Sequence, residues 1–318
     1  MKIKLWGARG SLPTPLSGED VRNKLRTVLS LARPGDISSA EAIDAFIKSL
    51  PFSLRGTFGG NTTCIQVMTP GGDLIILDCG SGLRALGTEL MKGDFGLGKG
   101  VAHILMTHTH WDHVQGIPFF VPFYIKGNRF NFYSAFPDLK SRLDHQQVPT
   151  HFPVSFDYLQ STKEFFTLGS GEVLHLNETV ITSRLMPHPG SSYGFRIEDG
   201  GATFVYTSDC EFNINEIEDI ENYRDFFSGA DAVVFDTQYT FDEAIDKFEF
   251  GHSSASIAID IAGMFGVKRL ILFHHEPNYD DEKLENVLLN ARTYLSMNKK
   301  RVGEMTVDIA YEGMEFEL

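Results

Sequence analysis

The sequence predicts an α/β protein in which two β-sheets lie between outer layers of helices. Short apolar runs bounded by Gly, Pro and Asp alternate along the chain with helical patterns, which is typical of sheets covered by helices. With 318 residues and 42% hydrophobic content, the chain can form the sizeable core that this arrangement needs. Histidine and aspartate residues directly follow several of the apolar runs, which indicates a polar site at the strand ends.

The N-terminal part of the chain predicts an edge strand, two helices and a hairpin. Residues 2–6 (KIKLW) alternate like an edge strand and lead into the loop GARGSLPTP. Two helical patterns follow: EDVRNKLRTVLSLA, with one apolar face, and SSAEAIDAFIKSL, in which Ser38 and Glu41 have capping-box spacing. We interpret them as a helical insertion at about residues 16–54. TCIQVM and LIILD then form a hairpin around TPGGD, with a helix after Gly82.

The rest of the chain predicts further strands and helices in alternation. The strand VAHILMT is followed by a short helix near Val114 and by aromatic-rich loops to about residue 165. Later segments are paired strands, a strand, a helix, a strand, a helix from about residue 281 and one last strand: EVLHLNETVITSRLM, SYGFRIEDGGATFVYTSD, ADAVVFD, SASIAIDIAGMFG, RLILF and MTVDIAYEGMEFEL. Because no repeat or linker composition marks a boundary, we expect one domain over residues 1–318.

Composition and charge exclude several classes of protein. The start, MKIKLWGARG, lacks the features of a secretory signal, and no apolar run approaches the roughly 20 residues that cross a bilayer. Three widely spaced cysteines favour reduced thiols over a disulfide framework: Cys64, Cys79 and Cys210. A formal net charge of −14 disfavours long-range attraction of polymeric nucleic acid. We therefore expect a cytoplasmic protein with no membrane partner.

The strongest functional signal is HTHWDH, which directly follows the apolar run ILMT. It clusters three imidazoles and a carboxylate, those of His108, His110, Asp112 and His113. Folding gains little from clustering groups that need desolvation and partners, whereas metal coordination requires such a cluster. Side chains at i and i+2 can bind one ion, and the next carboxylate and imidazole can reach a second. The segment predicts a metal site; the alternative is a fortuitous polar loop.

Further ligands are expected where other apolar runs end. His188 follows ITSRLMP, Asp209 follows ATFVYTS, and His274 follows LILF. His274 has a neighbour of the same type, His275, and successive side chains of a strand point to opposite faces, so the two cannot share one role. Position favours His274; a strand that ended one residue later would favour His275.

These motifs resemble those of the metallo-β-lactamase superfamily. HTHWDH matches its HxHxDH signature, and LDCGSG, His188, YTSD and LFHHEP match its other motifs in order over nearly the whole chain. WGARGSLPTP, GGNTTC, HPGSSYGFRI and GHSSASIA resemble the phosphodiesterase branch, which includes ribonuclease Z and small cyclic-phosphate phosphodiesterases. The resemblance implies an αββα sandwich of two mixed β-sheets between outer helices.

The resemblance also implies two metal sites that share one carboxylate. The residues assigned to them are His108, His110 and His188 for one ion, Asp112, His113 and His274 for the other, and Asp209 as the bridge. Asp78 would orient a ligand histidine. We expect two divalent transition-metal ions, Zn²⁺ in first place, with Mn²⁺ or Fe as alternatives because mixed His/carboxylate sites accept several metals.

A phosphodiester fits the charge of such a site. Two divalent ions exceed the combined charge of Asp112, Asp209 and a bridging hydroxide by about one unit, which attracts a monoanion. The bridging hydroxide would attack in line while the ions bind the developing charge. His252, in GHSSASIA, precedes two helix-cap candidates and so lies on a loop. In the resembling phosphodiesterases this histidine lies beside the metals and protonates the leaving oxygen. The alternative is a surface histidine before a helix cap.

We therefore expect a dinuclear metal-dependent hydrolase in which His252, Asp112 and Asp209 are catalytic. A small anionic phosphodiester is the expected substrate, either a cyclic nucleotide or a cyclic sugar phosphate. One alternative is a hydrolase of esters, lactones or thioesters, and another is a non-enzymatic ligand-sensing or interaction module. The acidic charge and the lack of a Gly/Pro-rich basic protrusion argue against tRNA processing.

Weaker signals have two interpretations each. Arg9 and Asn61 fit turn formation better than substrate contact. Residues 119–158 contain eleven Phe or Tyr, for which ordinary packing is the default; the alternatives are a wall that stacks a nucleobase or a homodimer contact. His145 and His151 either line the mouth of the pocket or are solvated.

Overall fold

Two seven-stranded sheets form the centre of the computed structural model, which describes residues 1–212 and 217–318. The first sheet contains β1 Lys2–Gly7, β2 Cys64–Met68, β3 Leu74–Leu77, β4 Val101–Leu105, β5 Arg129–Ser134, β6 Thr162–Thr167 and β14 Glu315–Glu317. The second contains β7 Val173–Leu176, β8 Thr179–Met186, β9 Ser192–Asp199, β10 Ala202–Tyr206, β11 Ala232–Asp236, β12 Arg269–Phe273 and β13 Thr306–Ile309. Their orders are β14-β1-β2-β3-β4-β5-β6 and β13-β12-β11-β10-β9-β8-β7.

Both sheets are mixed, and helices cover their outer faces. The β3–β6 ladder and the β10–β13 ladder are parallel, whereas the remaining pairs are antiparallel. The helices are α1 Gly18–Leu31, α2 Ala40–Ser49, α3 Phe52–Arg55, α4 Leu83–Leu90, α5 Trp111–Val114, α6 Leu139–Gln146, α7 Ile217–Glu221, α8 Arg224–Phe227, α9 Phe241–Asp246, α10 Ala255–Met264 and α11 Asp281–Val302. In the described ranges, none of them is both long and apolar enough to span a membrane.

Three apolar clusters show how these layers pack. One lies between the sheets and includes Leu77 from the first and Phe204 from the second. A second joins the outer face of the second sheet to α10 and α11 through Ile259 and Leu284, and a third joins the first sheet to α4 through Leu86. The predicted αββα sandwich of two mixed sheets is confirmed. All three cysteines are buried as free thiols: Cys64, Cys79 and Cys210.

The prediction of aromatic-rich loops up to residue 165 is wrong. This segment contains β5 and β6, which extend the first sheet by parallel pairing beyond β4, and the helix α6. Phe130 and Phe132 are both fully buried on alternate positions of β5. The alternation in RFNFYS was therefore a strand signal, because apolar residues two apart lie on one face of a sheet.

The C-terminal segment, predicted as one strand, forms two strands that belong to different sheets. β13 pairs with β12 in the second sheet, and β14 pairs with β1 in the first. Between them the chain turns at Gly313, whose φ of +85° is a conformation that glycine adopts readily. A second connection lies at residues 8–10: the His275 N–H donates to the Ala8 carbonyl (2.9 Å), and the Gly10 N–H donates to the His275 carbonyl (3.0 Å).

The helices between β1 and β2 were predicted, but not their first residues or their exposure. Ser39, rather than Ser38, caps α2, because Ser38 ends the preceding helical turn. A capping box is present instead at Ser17, at the start of α1. Neither α1 nor α2 contains a buried residue, and Leu25 and Leu29 on the apolar face of α1 are exposed. That residues 16–54 are an insertion into one domain remains a prediction.

Several strands end at one edge of the sandwich, where the chain turns sharply. Asp78, Ser208 and His274 follow β3, β10 and β12, respectively, with φ values of 59°, 57° and 61°. Left-handed backbone is uncommon for residues other than glycine and is concentrated at functional sites. These turns direct the chain out of the sheets at the positions where the sequence predicts polar ligands.

Candidate metal centre

The first predicted ligand set is brought together at this edge. His108, His110, His188 and Asp209 each offer a donor atom within 4.8 Å of the others. Nε2 of His188 lies 3.2 Å from Nδ1 of His110, and Nε2 of His108 lies 3.4 Å from Oδ2 of Asp209. The three histidines come from the β4 and β8 ends, which belong to different sheets. The cluster therefore lies across the boundary between the two sheets.

The second predicted set lies beside the first and shares Asp209 with it. Asp112, His113, Asp209 and His274 again offer donor atoms within 4.8 Å of one another. Nε2 of His274 is 3.0 Å from Oδ2 of Asp112, and Oδ1 of Asp209 is 3.2 Å from Nε2 of both His113 and His274. Asp209 thus directs one carboxylate oxygen to each cluster, which is the geometry expected of a bridging ligand.

The donor atoms fit divalent cations. Nε2 of His108, Nε2 of His113 and Oδ1 of Asp209 are buried without a hydrogen-bond partner. Buried polar atoms normally have a partner, so three such atoms in one cluster indicate that a bound group completes the site. Mixed imidazole and carboxylate donors suit Zn²⁺ and related transition metals. The number and identity of the ions remain predictions.

Charge balance within the cluster depends on the histidines. Burial opposes the charged form of every group, but Asp209 and Asp112 outweigh it and hold the pKa of His113 well above its usual range. In the same way, burial lowers the pKa of His274, yet Asp209 and Asp112 raise it to about 9. Protons on these imidazoles therefore balance the carboxylates when no cation is bound, and cations must compete with protons for the site.

The first cluster differs, because its histidines are held neutral. Burial lowers the pKa of His110 to about 4 and that of His188 to about 3, despite the nearby charge of Asp209. A neutral imidazole is the form that binds a metal ion. These two side chains are therefore already in the protonation state of a ligand at neutral pH.

Hydrogen bonds to Nδ1, the ring nitrogen that faces away from the cluster, fix the orientation of three histidine rings. Oδ2 of Asp78 lies 2.8 Å from Nδ1 of His113, as expected for a carboxylate that orients a ligand. Nδ1 of His188 lies 2.8 Å from the Gly251 carbonyl, and Nδ1 of His274 lies 3.0 Å from Oε1 of Gln238. Each bond leaves Nε2 directed at the cluster.

His252 stands beside both clusters and is paired with a buried carboxylate. Its Nδ1 is 2.7 Å from Oδ2 of Asp236, and its ring stacks on His274 at 4.9 Å between centroids. Asp236 is only 1% exposed and also accepts a hydrogen bond from the Cys210 N–H. Asp236 is not among the residues predicted from the sequence, although it ends the strand AVVFD and so carries the same signal as the other residues.

Arg9 and Asn61 do not contact the donor atoms. The Arg9 guanidinium is buried and donates to the carbonyls of Gly59, Glu276 and Tyr279. Asn61 donates through its side chain to Glu312. Both residues therefore hold loops together, in line with the interpretation that the sequence favoured.

His274 and His275 point in opposite directions. Nε2 of His275 is 2.8 Å from the Ala310 carbonyl, away from the donor cluster, and burial lowers its pKa to about 3. The His274 ring packs so closely on Gly10 that a Cβ at residue 10 would lie 2.4 Å from it. The backbone thus places His274, and not His275, in the second cluster.

We expect His274→Ala and His275→Ala to have different effects. His274→Ala should lower the metal content, because it removes one donor of the second cluster. His275→Ala should keep the metal content but lower the melting temperature, because it leaves the buried Ala310 carbonyl without its hydrogen-bond partner. Such a loss lowers the free energy of unfolding by about 1–3 kcal/mol. Metal analysis and thermal unfolding of both variants measure the two effects. Metal loss in His275→Ala alone would contradict the assignment.

Comparison with known proteins supports the superfamily that the sequence motifs predict. Residues 74–275 match the model of the beta-lactamase superfamily domain, which is more than half of the chain. The chain belongs to the beta-lactamase superfamily. The matched range begins at β3 and ends just after His274, so it contains all the donor residues of both clusters.

Individual relatives share a low fraction of identical residues with this chain. Ribonuclease Z of Thermoplasma volcanium is 26% identical over 282 residues. The match covers 71% of this chain and 87% of that protein. Two solved structures share the fold over 100% of this chain: the metallo-beta-lactamase fold protein YhfI from Bacillus subtilis (TM-score 0.64, 18% identity, 98% of its chain) and Zn²⁺-bound PqqB from Methylobacterium extorquens (TM-score 0.65, 16% identity, 100% of its chain). The predicted superfamily is confirmed, and the prediction of a hydrolase agrees with a relative that is named a ribonuclease.

Proposed function

We propose that this member of the superfamily is a dinuclear metal-dependent phosphodiesterase that hydrolyses a small phosphodiester, a cyclic nucleotide or a cyclic sugar phosphate. The observation that carries the proposal is the position of Asp209 between two donor clusters, with the His252–Asp236 pair beside them. The donors supply two adjacent cation sites, and the pair supplies a proton donor. Both assist phosphodiester hydrolysis, because the reaction develops charge on the phosphoryl oxygens and expels an alkoxide.

The cations contribute Lewis acidity and a water of lowered pKa when they are bound. The chain's own residues do the rest. Asp209 would hold a cation in each cluster and Asp112 one in the second cluster, and the neutral imidazoles of His110 and His188 would leave the net charge of the loaded site positive, which favours a monoanionic substrate. This charge balance favours phosphodiesters over neutral esters.

His252 is the proposed general acid. Asp236 accepts the Nδ1 proton of its ring at 2.7 Å, which fixes the orientation of the ring and leaves Nε2 free to face the substrate. Nε2 can then transfer its proton to the leaving oxygen of the substrate. Hydrolysis of a thioester has less need of this proton, because a thiolate leaves without one. The His252–Asp236 pair therefore supports the phosphodiester over a thioester, whereas a lactone, which also releases an alkoxide, is distinguished by its lack of charge.

A second candidate is cleavage of RNA, because the curated relative from Thermoplasma volcanium is a ribonuclease Z. The formal net charge of −14 weighs against it, since an RNA-binding surface gains most of its affinity from cations that contact phosphates. The net charge of the chain therefore favours a small phosphodiester over RNA as the substrate. The two kinds of substrate can be compared directly in one assay.

A substrate panel tests the proposal. Purified metal-loaded protein would be assayed on bis(p-nitrophenyl) phosphate, 2′,3′- and 3′,5′-cyclic nucleotides, cyclic sugar phosphates, a precursor tRNA, lactones and thioesters. We expect turnover of small phosphodiesters, loss of activity with a chelator and recovery with Zn²⁺ or Mn²⁺. Faster turnover of precursor tRNA than of every small diester would favour the second candidate. Inertness toward all phosphodiesters, with activity on a lactone or thioester, would refute both.

A further inference from the structure

A cavity of about 760 Å³ opens beside the HTHWDH segment and is not used by the donor clusters. Thr109 and Trp111 line it, and in the chain they alternate with His110 and Asp112. Its other walls come from the start of the aromatic-rich segment and from α6. Along the chain, the lining therefore lies one residue away from donors of both clusters. Its volume is within the range of small-molecule sites.

Exposed aromatic rings dominate one part of the lining. Trp111 is 84% exposed and Phe119 is 54% exposed, whereas most aromatic residues of the segment that follows are packed in the core. Phe152 contacts Phe119 edge to face, with 5.5 Å between the ring centroids. Aromatic faces left in solvent beside a polar site are a ready platform for stacking a planar group.

Polar groups and a cation complete the lining. The Arg142 guanidinium lies 4.0 Å from the centroid of the Phe136 ring and donates from Nη1 to Oγ1 of Thr109 (3.3 Å). Nε of Arg142 also donates to Asp138 (3.0 Å), and the side-chain amide of Gln115 donates to Thr62, so both side chains are held in place by the protein. The ring nitrogens of His145 add hydrogen-bonding groups to the lining. A planar ring with donors and acceptors on its edge suits both the aromatic faces and these polar groups.

We propose that this cavity binds the nucleobase of a nucleotide phosphodiester whose phosphate lies at the donor clusters. The proposal rests on the phosphodiesterase function proposed above and narrows its substrate from cyclic phosphates in general to nucleotides. Trp111, Phe119 and Phe152 stack the base, and Arg142, which also lines the cavity, offers a cation beside it. Aromatic stacking tolerates different bases, because each has a π-face, so a preference for bases over base-free sugars is expected rather than a strict preference for one base.

Kinetics on a matched pair of substrates test the subsite. 2′,3′-Cyclic AMP and the 2′,3′-cyclic phosphate of 1-O-methylribose differ in the base. We expect kcat/KM to favour cyclic AMP by about tenfold or more, the size of one base–aromatic contact, and expect Phe119→Ala and Phe152→Ala to abolish most of this ratio. Phe166→Ala is the matched control, because Phe166 is a half-exposed ring (46%) that is not part of this cavity. Equal kcat/KM values for both substrates in the wild type would overturn the proposal.

Binding gives a readout that does not depend on turnover. The chain has two tryptophans: Trp111 lines the cavity, whereas Trp6 donates to Gln66 and lies under Lys4. If the base stacks on Trp111, adenosine monophosphate should quench the tryptophan fluorescence of the protein. The quenching should be absent in Trp111→Phe, and binding should be weaker in Phe152→Ala. Quenching without hydrolysis of any phosphodiester would support the subsite and refute the proposed function. Hydrolysis of cyclic phosphates without quenching would keep the function and refute the subsite.

Discussion

Replacing Asp209 with alanine is expected to lower the metal content of the protein and to reduce phosphodiester turnover by about a thousandfold or more. The reason is that Asp209 directs one oxygen to each donor cluster, so its loss weakens both sites at once. Bound cations contribute several kcal/mol of charge stabilisation in the transition state, which corresponds to a rate factor of about this size. Metal analysis and steady-state kinetics of the purified variant measure the two effects.

Asp231→Ala is the matched control for this experiment. Asp231 is also a hydrogen-bonded aspartate close to β11, but it pairs with Lys268 away from the donor clusters. Its loss should change stability slightly and leave metal content and turnover near those of the wild type. Thermal unfolding of both variants separates loss of the site from loss of the fold. A folded Asp209→Ala protein with full metal content and turnover would exclude the bridging role.

His252→Ala is expected to reduce kcat by about 100- to 10,000-fold on substrates with alkoxide leaving groups, while the metal content is kept. The imidazole lies beside both clusters and is paired with Asp236, so its removal deletes the proton donor. A p-nitrophenolate leaving group needs little protonation, so the loss on bis(p-nitrophenyl) phosphate should be much smaller. This dependence on the leaving group separates a general acid from a residue that only shapes the pocket.

Asp236→Asn provides the companion variant. It keeps the size of the side chain but removes the carboxylate that holds Nδ1 of His252, so an intermediate loss of kcat with the same dependence on the leaving group is expected. Equal losses on both kinds of substrate, or loss of metal from His252→Ala, would show instead that His252 supports the neighbouring His274 ring.

The residues that the sequence predicts as donors lie together in the structure for a simple physical reason. Side chains that follow apolar strands must lie near the sheet edge, and residues from several strands meet there because the strands end at the same edge. His188, Asp209 and His274 were identified by this rule, and HTHWDH by its density of ligands. Strand alternation separates the roles of His274 and His275, and the position of His274 directly after LILF, together with the family resemblance, favoured it over its neighbour.

Other features depend on contacts between distant residues, which local patterns do not contain. The pairing of Asp236 with His252 exists only once α10 packs beside β11. The division of the C-terminal segment between two sheets is decided by pairing with β12 and β1. In residues 119–158, aromatic density concealed the alternation of β5, and the exposed rings could be separated from the buried ones only in the folded chain.

The contacts at residues 8–10 have a consequence for how the protein acquires its ions. They join the main chain beside His275 to the loop after β1 and so tie the second sheet to the first next to the donor clusters, independently of any bound cation. This link uses no donor atom of the clusters, so we expect the two sheets to stay joined beside the site when a chelator removes the cations. Exchange of one cation for another should then not require unfolding. The metal that the protein would hold is in that case expected to depend on the local supply as much as on the preference of the ligands.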